Sequence, residues 1–127
     1  WKIFYILFNF LNFNNFSNFN TFNQYKVNYN LSTLYNILKE YPSESLKIEV
    51  VGYGNGVRAL KKDYDAKTLS RINSLMEYDV EFVVCKNTMQ TMNWTEDDFI
   101  DDVSYVQAGI VELIEKQVEG YIGIIAY

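Results

Sequence analysis

The chain has 127 residues, a net charge of −5, an apolar share of 49% and an aromatic share of 17%. That is the length of one globular domain, enough to bury about two thirds of the surface its unfolded form exposes. There is no histidine and a single cysteine, Cys85. This excludes Ser-His-Asp and Cys-His nucleophilic sites, the H-E-x-x-H zinc motif, an internal disulfide and a cysteine-cluster zinc site. No Lys/Arg cluster supplies a nucleic-acid footprint, and a lone thiol suits a reducing, cytoplasmic compartment.

Between Lys2 and Lys26 the chain carries no charge. Ile3 to Phe8 is an apolar run fit for a buried strand. Phe10, Phe13, Phe16, Phe19 and Phe22 then recur with mostly Asn between them. A period of three fits neither a strand nor a helix, so residues 9–24 read as an Asn/Phe-rich low-complexity segment. Lys2 ahead of an apolar stretch also allows a signal segment and export, although Asn9 and Asn12 interrupt it and no A-x-A site follows. So many asparagines argue against a membrane span, and no membrane partner is expected.

Two readings of the next stretch stay open. Tyr25, Val27, Tyr29 and Leu31 alternate like a strand, whereas Val27, Leu31, Leu34, Leu38 and Tyr41 fall at helical spacings. Either strand 1 is Lys2–Phe8 and a long helix ends at Tyr41 before Pro42, or strand 1 is Tyr25–Leu31 followed by a short helix capped by Ser32. The first is preferred, with the Phe/Asn repeat as an insertion after strand 1. Leu46 to Val51 is strand 2, and Gly52-Tyr53-Gly54-Asn55-Gly56 is the turn after it. Ala66 to Glu77 is an amphipathic helix with Leu69, Ile72, Leu75 and Met76 on one face. Val80 to Val84 is strand 3, and Thr95 with Asp98 makes a capped turn. Val103 to Val106 is a short strand, Gly109 to Glu119 a helix with Ile110, Leu113, Ile114 and Val118 inward, and Gly120 to Tyr127 the last strand. Strands alternating with helices predict an α/β fold, a mainly parallel sheet covered on both faces with right-handed crossovers.

Chemistry concentrates at Cys85. It ends a buried strand, the place where open α/β sheets put their ligands. A helix starting at Asn87 or Thr88 would aim unpaired N–H groups at the sulfur and favour thiolate over thiol. The competing reading is a buried small hydrophobe. Lys86 is adjacent, but neighbours on an extended chain point to opposite sides. Met89, Met92 and Trp94 could wall the thiol, or simply pack. The glycine turn lacks both the Walker Lys-Ser/Thr and the G-x-G-x-x-G spacing, so its first reading is a turn needing positive φ. Its N–H groups could also hold an anionic sulfur species beside the thiol, which makes Gly52, Gly54, Asn55 and Gly56 candidates with Asn87 and Thr88. The acidic run Glu96 to Asp102 lacks a calcium-loop pattern and reads as a solvated loop, or a docking point for a basic partner.

Phe82-Val83-Val84-Cys85-Lys86-Asn87-Thr88-Met89, followed by Met92, Trp94 and Thr95-Glu96-Asp97-Asp98-Phe99, resembles the DsrE/DsrF-like family of small sulfur-relay proteins. Val50-Val51-Gly52-Tyr53-Gly54-Asn55-Gly56-Val57 resembles the family's second strand and glycine turn. Ala108-Gly109-Ile110-Val111-Glu112-Leu113-Ile114, on to Lys116-Gln117 and Gly120-Tyr121, resembles its last helix and strand. The resemblance spans roughly residues 34–124. It implies a three-layer α/β/α fold with a five-stranded sheet of flavodoxin-like architecture. It also implies a persulfide carried on Cys85, donor and acceptor proteins in intracellular sulfur metabolism, and homo-oligomers of similar small subunits. No cofactor or metal is implied. A different class of reading is a non-catalytic assembly subunit on the same fold, since related assemblies contain subunits without the cysteine. A weaker one is a small nucleotide or flavin binder using the glycine turn.

Overall fold

β-Branched residues flank the charged positions of Leu46–Val51, and this stretch is an inner strand of the sheet. A computed structural model describes residues 4–10, 21–41 and 46–125. Its strands are β1 (Phe4–Phe10), β2 (Leu46–Gly52), β3 (Glu81–Cys85), β4 (Ser104–Val106) and β5 (Ile122–Ile125). They form one sheet in the order β4-β3-β2-β1-β5, and every neighbouring pair is parallel. Parallel neighbours need crossovers, here α1 (Thr21–Glu40), α2 (Ala66–Glu77), α3 (Lys86–Met92) and α4 (Gly109–Val118). The expected α/β fold with helices over a parallel sheet is the one found.

Side chains on successive strand residues point to opposite faces, and the two faces are unequal. On one, Ile48, Val50, Phe82 and Val84 pack with Val27, Leu31 and Leu34 of α1 and Ile72 and Leu75 of α2. On the other, Val51 and Val83 pack under Leu113 of α4, with Tyr53, Val106 and Tyr121 around them. The chain steps along the sheet from β1 to β4 with α1 and α2 on the first face. It returns to the far side of β1 through α4 on the second. Right-handed crossovers require that change of face when the direction of travel reverses.

The strand-or-helix ambiguity at residues 25–31 resolves as helix. Val27, Leu31 and Leu34 are fully buried, while Tyr25 and Tyr29 stand in solvent. Strand 1 is therefore the stretch near the start, where β1 spans Phe4–Phe10 and so runs past the expected end at Phe8; Lys2 and Ile3 lie outside the described residues. Of the Asn/Phe-rich segment, residues 9–10 close β1 and residues 21–24 open α1. The rest lies outside the described residues, as does Pro42. No helix among the described residues is long and apolar enough to cross a membrane.

α2 is docked to α1 by a polar seam. Asp65 caps α2, its Oδ2 accepting from Thr68 N at 2.9 Å and Thr68 Oγ1 at 2.7 Å. Asn28 Nδ2 donates to Thr68 Oγ1 at 2.9 Å. Arg71 Nη1 donates to Asn28 Oδ1 at 2.6 Å and Nη2 to Ser32 Oγ at 2.8 Å. Thr68 is fully buried, and these partners satisfy a hydroxyl that would otherwise be costly to bury.

The expectation for α4 needs correction. Leu113 faces the sheet, but Ile110, Ile114 and Val118 face solvent, Val118 at 83% exposure. Hydrophobic spacing identified the helix correctly and its buried side wrongly. The side of α4 turned to the sheet carries Gly109, Glu112, Leu113 and Lys116, and Ile110, Ile114 and Val118 lie on the other side.

Leu31→Ala tests the α1 assignment: at a fully buried helix position it should lower the unfolding free energy by about 2–5 kcal/mol. Tyr29→Ala, on the exposed side, should stay within about 0.5 kcal/mol by urea denaturation. An alternating strand would make the two substitutions comparable.

Candidate functional site

β3 ends at Cys85 and α3 begins at the next residue, so Cys85 is the cap residue of α3, with φ −80° and ψ 117°. The first N–H groups of a helix have no partner within it. Those of Asn87 and Thr88 lie beside Sγ and, with the Thr88 hydroxyl, favour its anion, while the Asn87 N–H itself donates to Gln107 O at 3.0 Å. A further donor comes from 24 residues along the chain, where Gly109 N–H at the start of α4 lies 3.3 Å from Sγ. The starts of two helices thus converge on one sulfur.

Cys85 is only 5% exposed. Burial pushes the thiol pKa up. The hydrogen bonds from Gly109 N–H, the Thr88 hydroxyl and N–H, and Asn87 N–H outweigh it, and the thiol titrates below its ordinary value of 9.0. Donors aimed at a sulfur stabilise the anion more than the neutral thiol. In the other direction Sγ lies 3.9 Å from Gln107 O, the acceptor available to the thiol proton. Lys86 is not among the groups that lower the pKa.

The glycine turn joins the site through one atom. Gly54 has φ 58°, a conformation open to residues without a Cβ, and its N–H donates to Thr88 Oγ1 at 3.0 Å. Gly54 N–H, Thr88 O–H and Cys85 Sγ form a relay in which each donor polarises the next. The other turn residues have structural roles. A 3₁₀ helix runs from Gly54 to Leu60 and buries Gly56. Asn55 Oδ1 accepts from Arg58 Nε at 3.4 Å within that helix. Gly52 ends β2, and an added Cβ there would meet Val57 Cα and Val83 O at 3.6 Å, an ordinary van der Waals contact. The expected nest of glycine N–H groups around the sulfur reduces to a single N–H acting through Thr88.

Asn87 and Gln107 brace the two segments that meet at the thiol. Asn87 N donates to Gln107 O at 3.0 Å, and Gln107 Nε2 donates to Asn87 Oδ1 at 2.6 Å. Met89 is buried in the core on the α1/α2 face, away from the α4 face that Gly109 and Cys85 share. Trp94 meets Phe99 edge-on at 6.2 Å and lies against Lys61 and Arg58, at 4.3 and 5.1 Å from the ring centroid. Met89 and Trp94 pack elsewhere and do not wall the thiol. The acidic run is a loop closed by the Thr95–Asp98 capping box, with Thr95 N–H donating to Asp98 Oδ2 at 2.8 Å.

Gly109 and Gln107 are the site residues that sequence reading missed. The signal for Gly109 was an Ala-Gly pair opening a helix after a short strand, where close approach to neighbouring side chains favours glycine. The contacts bear this out, since a Cβ at Gly109 would sit 3.0 Å from Tyr53 Cβ and 3.4 Å from Cys85 Cβ.

Thr88→Val keeps the shape and deletes the donor, leaving Gly54 N–H without its acceptor. A hydrogen bond to an ionised group is worth roughly 1.5–3 kcal/mol, so iodoacetamide should alkylate Cys85 about tenfold more slowly at pH 7. An unchanged rate would mean that the Thr88 hydroxyl does not stabilise the thiolate.

The sequence match to the DsrE/DsrF-like family model covers residues 12–124. No curated protein matches the chain. Among solved structures the fold is similar to that of MTH1491 from Methanobacterium thermoautotrophicum, a protein of unknown function. The two share 24% identity at a TM-score of 0.81, over 96% of this chain and 98% of that one. The ychN protein from E. coli is also similar in fold, at 16% identity and a TM-score of 0.60 over the full length of both chains. Because the family match runs through the glycine turn, the thiol strand and α4 to β5, the chain belongs to the DsrE/DsrF-like family.

Proposed function

We propose that this chain is a sulfur carrier that takes up sulfane sulfur on Cys85 as a persulfide and hands it to a partner thiol. Family membership supports a sulfur-relay-related role in general. The observation that carries the specific reading is the set of N–H and O–H donors on Sγ that outweighs burial and lowers the thiol pKa. The thiolate attacks the outer sulfur of a donor persulfide, R–S–SH. The new bond is Cys85 S–S, the donor's own S–S bond breaks, and R–S⁻ leaves with the electron pair, giving Cys85–S–SH. An acceptor thiolate then attacks that outer sulfur and Cys85 leaves as thiolate. No net oxidation occurs, and the step calls for neither a histidine nor a metal.

Intact mass after polysulfide treatment tests this. We expect the native chain to gain one sulfur atom that reductant removes, and Cys85→Ser to gain none. No adduct, with slow alkylation as well, would sink the carrier reading. The non-catalytic assembly subunit would replace it, a reading that the near-complete burial of Cys85 favours.

We also infer that α4 is covered by a second copy of this chain. Ile110, Val111, Ile114 and Val118 are exposed on the solvent side of α4. An exposed apolar row of this kind lets two copies with net charge −5 meet through apolar contacts at the centre, as homodimer interface cores do. Ile114→Asp should lower the solution mass by light scattering to that of one chain. A native mass equal to one chain would overturn this inference.

A further inference from the structure

Glu49 sits in the middle of β2 on the α4 face. It is 3% exposed, and its Oε1 has no hydrogen-bond partner. A carboxyl group inside a sheet covered on both faces is expensive unless it is neutral or paired. Its hydrogen-bond partner is a second acid, Glu112, in the first turn of α4. Two carboxyl groups can hydrogen-bond only while a proton lies between them. Burial first, then the Glu112 hydrogen bond and the charges of Glu112 and Glu81, raise the Glu49 pKa from 4.5 to about 8, against a smaller opposing pull from Lys116.

Glu49 does not touch the thiol. It pairs with Glu81 in the β2–β3 register, and Cys85 lies four residues further on, about 13 Å along the strand. The link runs through α4. Glu112 is three residues beyond Gly109, about 4.5 Å along the helix axis, and Gly109 N–H is the donor on Sγ. The first turn of α4 therefore has a carboxyl pair beneath it at one end and the sulfur at the other. Gly109 is already within close packing distance of Tyr53 and Cys85, so the turn can move only away from the sheet.

We propose that Glu49 and Glu112 form a proton-sharing latch that holds the first turn of α4 down, and with it the Gly109 N–H against Cys85 Sγ. Glu49 is then a positioning residue for the thiol, a role that rests on Cys85 being the reactive group. With the proton in place the pair attracts, the turn is docked and the thiolate keeps its buried donor. Loss of the proton leaves two carboxylates face to face, the turn lifts, and Sγ loses that donor.

The charged and titratable groups facing Glu49 set the direction. Glu81 from β3 and Glu112 from α4 oppose ionisation, Tyr121 between α4 and β5 offers a neutral phenol, and Lys116 favours ionisation. Lys116 is shared, since it also approaches Glu119 at 3.7 Å and lies 5.3 Å from the Tyr121 ring centroid. A carboxyl whose pKa rises on folding contributes stability that is complete below 4.5 and is lost as pH climbs through about 8.

The test follows the Gly109 amide by ¹⁵N NMR as pH is raised from 6 to 10. In Cys85→Ser, which has no thiol to titrate, the Gly109 signal should still move through one inflection near pH 8, where Glu49 titrates. In Glu49→Gln, whose amide donates to Glu112 without titrating, that inflection should vanish while the thiol inflection remains. Glu112→Gln gives the same loss should Glu49→Gln fold poorly. A Gly109 signal in Cys85→Ser that does not move, or an inflection that survives both glutamine substitutions, would overturn the latch. Neither readout involves persulfide, so a chain that takes up no sulfur but shows the inflection would sink the carrier reading and leave the latch standing.

Discussion

The meeting of two helix starts at one sulfur is the constraint on which the rest of this structure depends. A strand that ends in a parallel sheet must hand its chain to a crossover, and the first N–H groups of that crossover are unpaired by geometry. At Cys85 one set comes from the helix that follows directly, and a further N–H from α4, which begins after β4. The close approach needs Gly109, because a Cβ there would press on Tyr53 and Cys85. It also needs β4 beside β3, with Cys85 opposite Val106, so that the chain leaving β4 turns back directly over the thiol.

The two faces of the sheet divide the work. Under α1 and α2 lies a continuous apolar core, tied at its margin by the Asp65–Thr68–Asn28–Arg71 seam. That face contributes stability. The α4 face has a smaller apolar cluster around Val51, Val83 and Leu113, and it holds both the buried thiol and the buried Glu49. Polar groups with perturbed pKa values gather where a fold does chemistry, and here they gather beneath a single helix. The same helix shows an apolar back to solvent, so events at the thiol and at any subunit contact pass through one element.

The glycine turn departs from the roles its sequence suggests. A Gly-x-Gly-x-Gly turn after a strand invites an anion-binding reading, but most of its backbone goes into a short 3₁₀ helix. Its contribution is one N–H that orients the Thr88 hydroxyl toward the sulfur. An oriented hydroxyl is a better thiolate donor than a free rotor, because its proton need not be reorganised as charge develops.

Several features were legible in the sequence because they depend on near neighbours in the chain. The spacing of Val27, Leu31 and Leu34 offered the helix beside a strand alternation over Tyr25–Leu31, and their burial decided between the two. The capped turn at Thr95 follows from Asp98 three residues later, and the place of Cys85 at a strand end from the β-branched run before it. Other features were decided only by tertiary structure, because they depend on which residues distant in sequence are brought together. Gly109 became a thiol donor because β4 lies beside β3. Ile110, Ile114 and Val118 face solvent because a single helix covers that face and Leu113 takes the inward position. Glu49 stands out in sequence only as one acid among strand residues. Its burial against Glu112 follows from the return of α4 across the sheet, and a local hydrophobic pattern records which side of a helix is apolar but not which side is turned to the sheet.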